Sequence, residues 1–340
     1  MTDSKFQSLH AHTLMSDGKL THQEVLEIAE KYGIGVVAFT DHDALPDLET
    51  LERLKTLNHP TKWLVGIEIS ASLPGISSGS TDSDLHVLGL FVDPNNLALL
   101  QHCRKAQSER IKRMEIIVRG LQNLGFSITA SECLKIAQGS SVGQPHIVEA
   151  LKSKQKNLKL IEEYREKLAD FAKKSSKINQ KYQAMVQQGE RQYPYALFLS
   201  GDSPFNVKAP YSYFLSLDQA VSMIRGAGGI ASLAHYSTSK QKLTPQALEE
   251  IFKKNQLDGA ETVYRLFGSD DKLEAEVEKD RRLVRELLEK YQKVETGGAD
   301  GHQEGDYQDF ISHKSLAQQT TGMVEKILEK HQVLLEWTNL

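Results

Sequence analysis

Residues 10–43 read HAHTLMSDGKLTHQEVLEIAEKYGIGVVAFTDHD. The stretch opens on two histidines one residue apart and closes on a third between two aspartates. Ahead of it, residues 6–10 form a short apolar run that ends in histidine and predicts a strand. Thr21 and Glu24 stand three apart in the pattern of a capping box. Val25, Ile28, Ala29 and Tyr32 follow at helical spacing, and Gly33 and Gly35 stop the helix. Residues 36–40 are β-branched and aromatic, the composition of a buried strand, with Asp41-His42-Asp43 at its end.

Outward from this unit the rhythm repeats. Residues 48–57 predict a second amphipathic helix, residues 63–69 a third strand carrying Glu68, and residues 85–92 a fourth carrying His86. Strands alternating with helices predict an α/β fold with parallel strands. The rhythm breaks near residue 95. Residues 97–124 predict one or two long helices, and 131–137 and 146–151 short ones. Between residues 152 and 191 there are eleven Lys or Arg and five Asp or Glu. Ile161, Tyr164, Leu168 and Phe171 recur there at spacings of three and four, so the segment predicts an amphipathic helix, broken at Ser175-Ser176. The α/β rhythm resumes with a helix over 217–227, a strand over 230–234 ending at His235, and a strand over 257–263. A charged helix follows over 271–291 with Leu273, Val277, Val284 and Leu288 inward, then a strand over 293–296 before Gly297-Gly298-Ala299-Asp300-Gly301-His302. A helix over 316–335 closes the chain. The expected domains are a discontinuous barrel, 1–96 and 205–340, and a helical insertion, 97–204, with its charged segment at 152–192.

Composition limits the class. The chain has 340 residues, 39% hydrophobic and 25% charged, with a net charge of −4. That balance is globular and carries no basic footprint for nucleic acid. Two cysteines, Cys103 and Cys133, exclude a disulfide framework and a cysteine-based zinc finger. The first residues lack the apolar core of a signal peptide, and no apolar run is long enough to span a membrane. The expected location is cytoplasmic, with no membrane partner.

Twelve histidines are present, and their placement is informative. Strand after strand carries a metal-ligand residue type at or near its end: His10 and His12, His42, Glu68, His86, His235, then Asp300 and His302. Parallel strands of a barrel put their C-terminal ends on one face. Asp17 lies in a Ser-Asp-Gly turn that can bring its carboxylate back over that face. Taken singly, His42 fits a core histidine and Asp17 a turn residue. Together they make nine donors, six imidazoles and three carboxylates, which suit Zn, Mn or Fe. Three ions would use up the set if Glu68 bridges two of them. No serine nucleophile elbow, phosphate loop or dinucleotide fingerprint competes with this reading.

At these positions the chain resembles the PHP (polymerase and histidinol phosphatase) domain phosphoesterases. Residues 10–43 resemble the opening of that family. Glu68 in GIEIS, His86 in DLHVLGL, His235 in GGIASLAH and Asp300-Gly-His302 in TGGADGH resemble its later motifs, in order. Ser141-Val-Gly-Gln-Pro-His146 resembles a G-R-P-H element of the subgroup acting on nucleotides, which includes nucleoside 3′,5′-bisphosphate phosphatases and 5′→3′ exoribonucleases. The resemblance implies a distorted seven-stranded, TIM-barrel-like (β/α) barrel with an inserted helical subdomain. It implies a trinuclear centre of divalent ions (Mn, Fe or Zn). His10, His12, Glu68 and Asp300 would hold the first, Glu68, His86 and His235 the second, and Asp17, His42 and His302 the third.

The function this implies is hydrolysis of a phosphate monoester of a nucleotide, either a nucleoside 3′,5′-bisphosphate or a short 5′-phosphorylated oligonucleotide. Metal-bound hydroxide would attack phosphorus, with Glu68, Asp17 and His235 acting through the metal-bound water. The partners are then a small-molecule phosphoester or short RNA or DNA ends. The alternatives are a phosphatase of another small phosphomonoester, such as a histidinol-phosphate-like one, and a noncatalytic PHP binding module. Gln144, His146 and Arg265 are the expected substrate contacts. Gln144 stands where the nucleotide subgroup has arginine, so Arg265 or Lys208 is the expected replacement cation. Tyr236 follows His235 where the family usually has proline. Asp41 and Asp43 are expected to orient neighbouring ligands.

Overall fold

The segment Ile34–Phe39 (IGVVAF) is apolar throughout and buried on both faces but for one half-buried residue, as a strand inside an α/β layer must be. It is one of eight strands in the computed structural model, which describes residues 6–73, 85–138, 141–201, 203–211, 213–266 and 271–340. The strands are β1 (Phe6–Ser8), β2 (Ile34–Phe39), β3 (Lys62–Ser72), β4 (Leu85–Leu90), β5 (Leu215–Ser216), β6 (Ile230–Leu233), β7 (Gly259–Val263) and β8 (Val294–Gly297). They form one sheet in the order β1-β2-β3-β4-β6-β7-β8, with the two-residue β5 paired to β3. In chain order the helices are α1 (His22–Lys31), α2 (Leu48–Thr56), α3 (Leu97–Asn123), α4 (Ala130–Ala137), α5 (Gln144–Lys152), α6 (Gln155–Ala172) and α7 (Ser176–Gln188). After these come α8 (Leu217–Gly226), α9 (Tyr236–Ser239), α10 (Pro245–Lys253), α11 (Asp271–Lys290), α12 (Glu304–Ser312), α13 (Lys314–Ala317) and α14 (Met323–Lys330).

The α/β class holds, but two features of the expected barrel do not. The sheet has eight strands and its ladder does not close. Its outer strands meet around their ends, where the Leu9 N–H donates at 2.9 Å to the carbonyl of Gly297, the last residue of β8, and Ala11 bridges Gly301. Nor are all strands parallel: β4 runs antiparallel to both β3 and β6. A parallel neighbour needs a long crossover, usually a helix, and the sequence PGISSGSTDSD over residues 74–84 offers no helical pattern of apolar residues.

Local signals explain most helix bounds. The Thr21 hydroxyl accepts from the Glu24 N–H while the Glu24 carboxylate accepts from the Thr21 N–H, so the capping box forms as read; such a cap is worth about 1 kcal/mol. The Ser175 hydroxyl caps α7 and separates it from α6. The single closing helix expected over 316–335 is instead α13, a 3-10 turn at Gln318–Thr320 and α14, divided at Gly322, whose φ of +78° an L side chain rarely adopts. Beyond α14 the chain returns to β3, where Trp337 O accepts from the Val65 N–H and the Asn339 N–H donates to Trp63 O. In α11, Val277, Val284 and Leu288 are buried as expected, but Leu273 is 41% exposed.

Buried apolar side chains fall into two clusters, one about the sheet and one built from Met114 onward through the helices to Phe198. Helix α3 serves both: Leu99 and Cys103 belong to the first, Met114, Ile117 and Leu121 to the second. It is tied to the sheet by charge. Asp43, just past β2, accepts from Arg110 Nη2 at 2.5 Å and lies 2.9 Å from His102 Nε2. Burial alone would raise the Asp43 pKa; the guanidinium of Arg110 and the hydrogen bond from His102 hold it well below the usual carboxylate range. Replacing Asp43 with Asn leaves the buried Arg110 charge without its carboxylate while keeping a residue that tolerates the left-handed backbone found there, φ +47°. Asp43→Asn is expected to cost about 3–5 kcal/mol of unfolding free energy. Urea unfolding checks this, and an unchanged midpoint would rule the tie out.

Candidate metal centre

The nine donors named from the sequence come from the whole length of the chain and meet at one end of the sheet. His10 and His12 follow β1. His42 follows β2 and forms a bridge with Glu68, which lies in the middle of β3 and not at its end. His86 is the second residue of β4. Because β4 is antiparallel, its start reaches the same end of the sheet as the ends of its neighbours. His86 pairs across from Ser70, which shares a face with Glu68. His235 lies between β6 and α9, and Asp300 and His302 follow β8. Asp17 is turned back by its neighbour: a Cβ on Gly18 would stand 2.5 Å from the His12 carbonyl carbon, so only glycine lets the turn lie against His12. Asp41 clamps the same loop, accepting from the Thr13 N–H at 2.7 Å and from the Ser16 hydroxyl at 2.6 Å.

Two imidazoles and two carboxylates crowd together at ligand-like separations. His10 Nε2 and His12 Nε2 are 3.1 Å apart. Glu68 Oε2 is 3.4 Å from His10 Nε2 and 3.3 Å from His12 Nε2, and Asp300 Oδ1 is 3.3 and 3.2 Å from the same two nitrogens. A tetrahedral ion with bonds of about 2.0–2.1 Å has ligand–ligand edges of about 3.3–3.4 Å. The other Glu68 oxygen, Oε1, is 3.0 Å from His86 Nδ1 and 3.2 Å from His235 Nε2. Asp17 Oδ1 lies 3.5 Å from His302 Nε2, 3.7 Å from His12 Nδ1 and 4.0 Å from His42 Nε2. Grouped by reach, the donors fall into sets that include His12–Asp17–His42–His302, His10–His235–Asp300, His10–His12–Glu68 and His42–Glu68–His86. Asp17 Oδ1, His42 Nδ1, Glu68 Oε2 and Asp300 Oδ1 are buried and make no hydrogen bond. Buried polar atoms are normally satisfied, so these four fit cations bound among them. The residues present thus fit divalent metal.

Electrostatics says the same. Burial pushes the carboxyls of Glu68, Asp17 and Asp300 up, and the imidazoles around them overcome it; all three end well below the usual carboxylate range. Burial pushes His10 and His12 down, but the carboxylates prevail. His10 lies well above its ordinary value, through Asp300, Glu261 and Glu68, and His12 rises to about 10 through Asp300 and Glu68. For His86 burial wins and the pKa falls. The site is a pool of negative charge that requires cations.

Two clefts open beside the cluster. One of about 350 Å³ is lined by His42, His86 and Asp17 from the sheet side and by Arg110, Arg113 and Gln144 from the helices. The other, about 550 Å³, is lined by Asp17, Asp300 and His302 together with Lys19, Tyr195 and Arg265. Asp17 and Pro145 belong to both. Of the expected substrate contacts, Gln144 and Arg265 therefore line different clefts. Arg265 is already paired with Asp309 at 2.8 Å and Glu274 at 3.3 Å. His146 lines neither cleft; it is buried, and its Nδ1 accepts from the Gly143 N–H at 2.9 Å. Lys208 lines neither cleft.

Sequence reading misses two groups here. Arg110 reaches the smaller cleft from α3, twenty-four residues beyond His86, with its Nε buried and without a hydrogen bond. Glu261 in β7 is fully buried, with its carboxylate 3.1 and 3.2 Å from His10 Nδ1. The signal that singled out Glu68, a carboxylate inside an apolar strand, is present for Glu261 in LDGAETV. Asp41 and Asp43 bind the Asp17 loop and α3 rather than a donor side chain.

A fold with a donor cluster at one end of its sheet defines a metal-site α/β protein, and comparison with known proteins gives its family. The PHP domain model matches residues 8–338, and the chain belongs to that family. It is 24% identical over 155 residues to the 5′-3′ exoribonuclease Rnm of Escherichia coli K12, covering 44% of this chain and 50% of that one. To the phosphoribosyl 1,2-cyclic phosphate 1,2-diphosphodiesterase of Eggerthella lenta it is 28% identical over 148 residues, 43% of this chain and 54% of that one. The chain thus spans about half the length of these two curated relatives. It matches a Haemophilus influenzae 5′-3′ exoribonuclease at 26% over 68% of this chain and 69% of that one. Among solved structures, an amidohydrolase from Chromobacterium violaceum aligns with a TM-score of 0.61 and 21% identity, over 87% of each chain. A candidate metal-dependent phosphoesterase from Bifidobacterium adolescentis aligns with a TM-score of 0.63 and 22% identity, over 89% of each chain. These two show the fold.

Protons and metal compete for the same donors. Because His10 and His12 hold protons above their ordinary pKa, manganese must displace protons to bind. Affinity is expected to rise with pH between 6 and 8, by up to about tenfold per pH unit for each proton released. Calorimetric titration in buffers of different ionisation enthalpy measures the release; binding indifferent to pH would refute it.

Proposed function

We propose that the protein is a metal-dependent hydrolase of phosphate esters, acting on a nucleotide: a nucleoside 3′,5′-bisphosphate or a 5′-phosphorylated short oligonucleotide. The observation that carries the reading is that Glu68 Oε2 and Asp300 Oδ1 each lie 3.2–3.4 Å from both His10 Nε2 and His12 Nε2, the spacing of ligands on one ion. In this reading His10, His12, Glu68 and Asp300 hold one divalent ion, Glu68, His86 and His235 a second, and Asp17, His42 and His302 a third. Ions bound there would supply a nucleophile from water near neutral pH and neutralise the phosphoryl oxygens.

The chain's own residues do the rest. Glu68 turns Oε2 toward His10 and His12 and Oε1 toward His86 and His235, so this one carboxylate would be shared by two ions. Arg110, held by Asp43 at the wall of the smaller cleft, binds phosphate oxygens in the place that Gln144, being uncharged, does not fill. The larger cleft, with Tyr195 and Leu266 in its wall, takes the sugar and base. Clefts on both sides of the cluster support a substrate that extends in two directions from the scissile phosphorus. Two relatives, a 5′-3′ exoribonuclease and a phosphoribosyl cyclic phosphate diphosphodiesterase, support a nucleotide-like ester.

The test is phosphate or nucleotide release by manganese-loaded protein from adenosine 3′,5′-bisphosphate, AMP, a 5′-phosphorylated short RNA and histidinol phosphate. Turnover of the bisphosphate or the RNA is expected, falling to background in His10→Ala. Turnover of histidinol phosphate alone would replace the nucleotide with a small phosphomonoester. No turnover by protein of verified metal content would leave a binding module.

A further inference from the structure

We propose that Glu261 is the positioning residue of the metal centre: one buried carboxylate that sets both the His10 side chain and the His235 main chain. The inference rests on the metal reading above and adds to it a residue outside the donor set. Glu261 lies in β7, where every residue is buried, and has no access to solvent. Among the described residues it pairs with no lysine or arginine. Its partners are two. His10 Nδ1 lies 3.1 Å from one carboxylate oxygen and 3.2 Å from the other. The His235 N–H donates to Oε2 at 2.9 Å.

Each contact has a chemical consequence. An imidazole that donates its Nδ1–H to a carboxylate has its lone pair on Nε2, and His10 Nε2 is the atom that faces His12, Glu68 and Asp300. The carboxylate also makes that ring a more basic ligand. His235 has a backbone that side chains rarely adopt, φ +22°, and such geometry persists only where neighbours hold it. The hydrogen bond to Glu261 does so, while His235 Nδ1 meets Thr238 Oγ1 at 2.9 Å and leaves Nε2 toward Glu68. The two rings stack at 5.7 Å. A register shift between β7 and β8 falls between Glu261 and Val263, the kind of irregularity that re-aims a strand side chain. An isolated buried carboxylate is costly; a cation held by His10 Nε2 would offset that cost through the imidazole.

Glu261 touches neither Asp17 nor His42 nor His302, which predicts a selective effect. Manganese affinity is read by chelator competition, and metal per chain after dialysis, on full-length wild type, Glu261→Gln, Glu261→Ala and Asp17→Asn. Gln keeps the volume and an acceptor, so it stands in should Ala fail to fold. Glu261→Gln is expected to weaken the ions held through His10 and His235 by about 10–100-fold, with the fraction held by Asp17, His42 and His302 and the metal-free melting temperature unchanged. Asp17→Asn is expected to lose the complementary fraction. A Glu261→Gln chain that binds like wild type, or that weakens every ion equally with a lower melting temperature, overturns the inference alone. A wild type that binds no manganese overturns the metal reading and this inference with it.

Discussion

A carboxylate that water does not reach governs this end of the molecule. Glu68 is fully buried, and imidazoles from His10, His12, His42, His86 and His235 stand 2.9–3.4 Å from its two oxygens. A lone charge so placed would cost several kcal/mol, so the neighbouring strands must each bring a group that accepts positive charge. The sheet order follows that need. Strand β3 lies inside the sheet with the continuation of β2 on one side and β4 on the other. Reversing β4 costs nothing at the site, because the residue that matters there, His86, is at its start. The lower part of β3, which β4 does not reach, is paired instead by the chain's last residues through Trp63 and Val65.

Much of this is legible in the sequence, and the rest is illegible for physical reasons. His10, His12, His42, Glu68, His86 and His235 stand out because each is a residue that burial penalises, set in or just after an apolar strand. The capping box at Thr21 and Glu24 and the serine break at 175 are local chemistry and form as written. The direction of β4 is not local: a strand's side-chain alternation reads the same for either orientation, so the parallel assignment comes from rhythm alone. The division at Gly322 is hidden because apolar spacing continues across it. No local pattern marks His102, which meets Asp43 only because α3 is laid across the end of β2. Glu261 is the instructive case, since its signal is the one that identifies Glu68 and lacks only a neighbouring histidine in sequence.

Helix α3 joins two cores that are otherwise separate. Its first turns pack on the sheet, its later turns on α4–α7, and Arg110 at the changeover is fastened to Asp43. The insertion touches the donor loop as well: the Ser141 N–H donates to the Met15 carbonyl. No described helix is long and apolar enough to cross a membrane, and α6 and α7 bury Ile161, Leu168 and Met185 in the second cluster while Phe171 and Val186 stay 46% and 41% exposed. The charge on these two helices is therefore the outer face of a packed pair.

The ridge made by Asp17 and Pro145 is a wall common to both clefts. Its two halves come from different parts of the molecule, one from the loop after β1 and one from the first turn of α5. A ligand in either cleft therefore lies against Asp17, one of the donors, so whatever enters from either side meets the cluster through the same carboxylate.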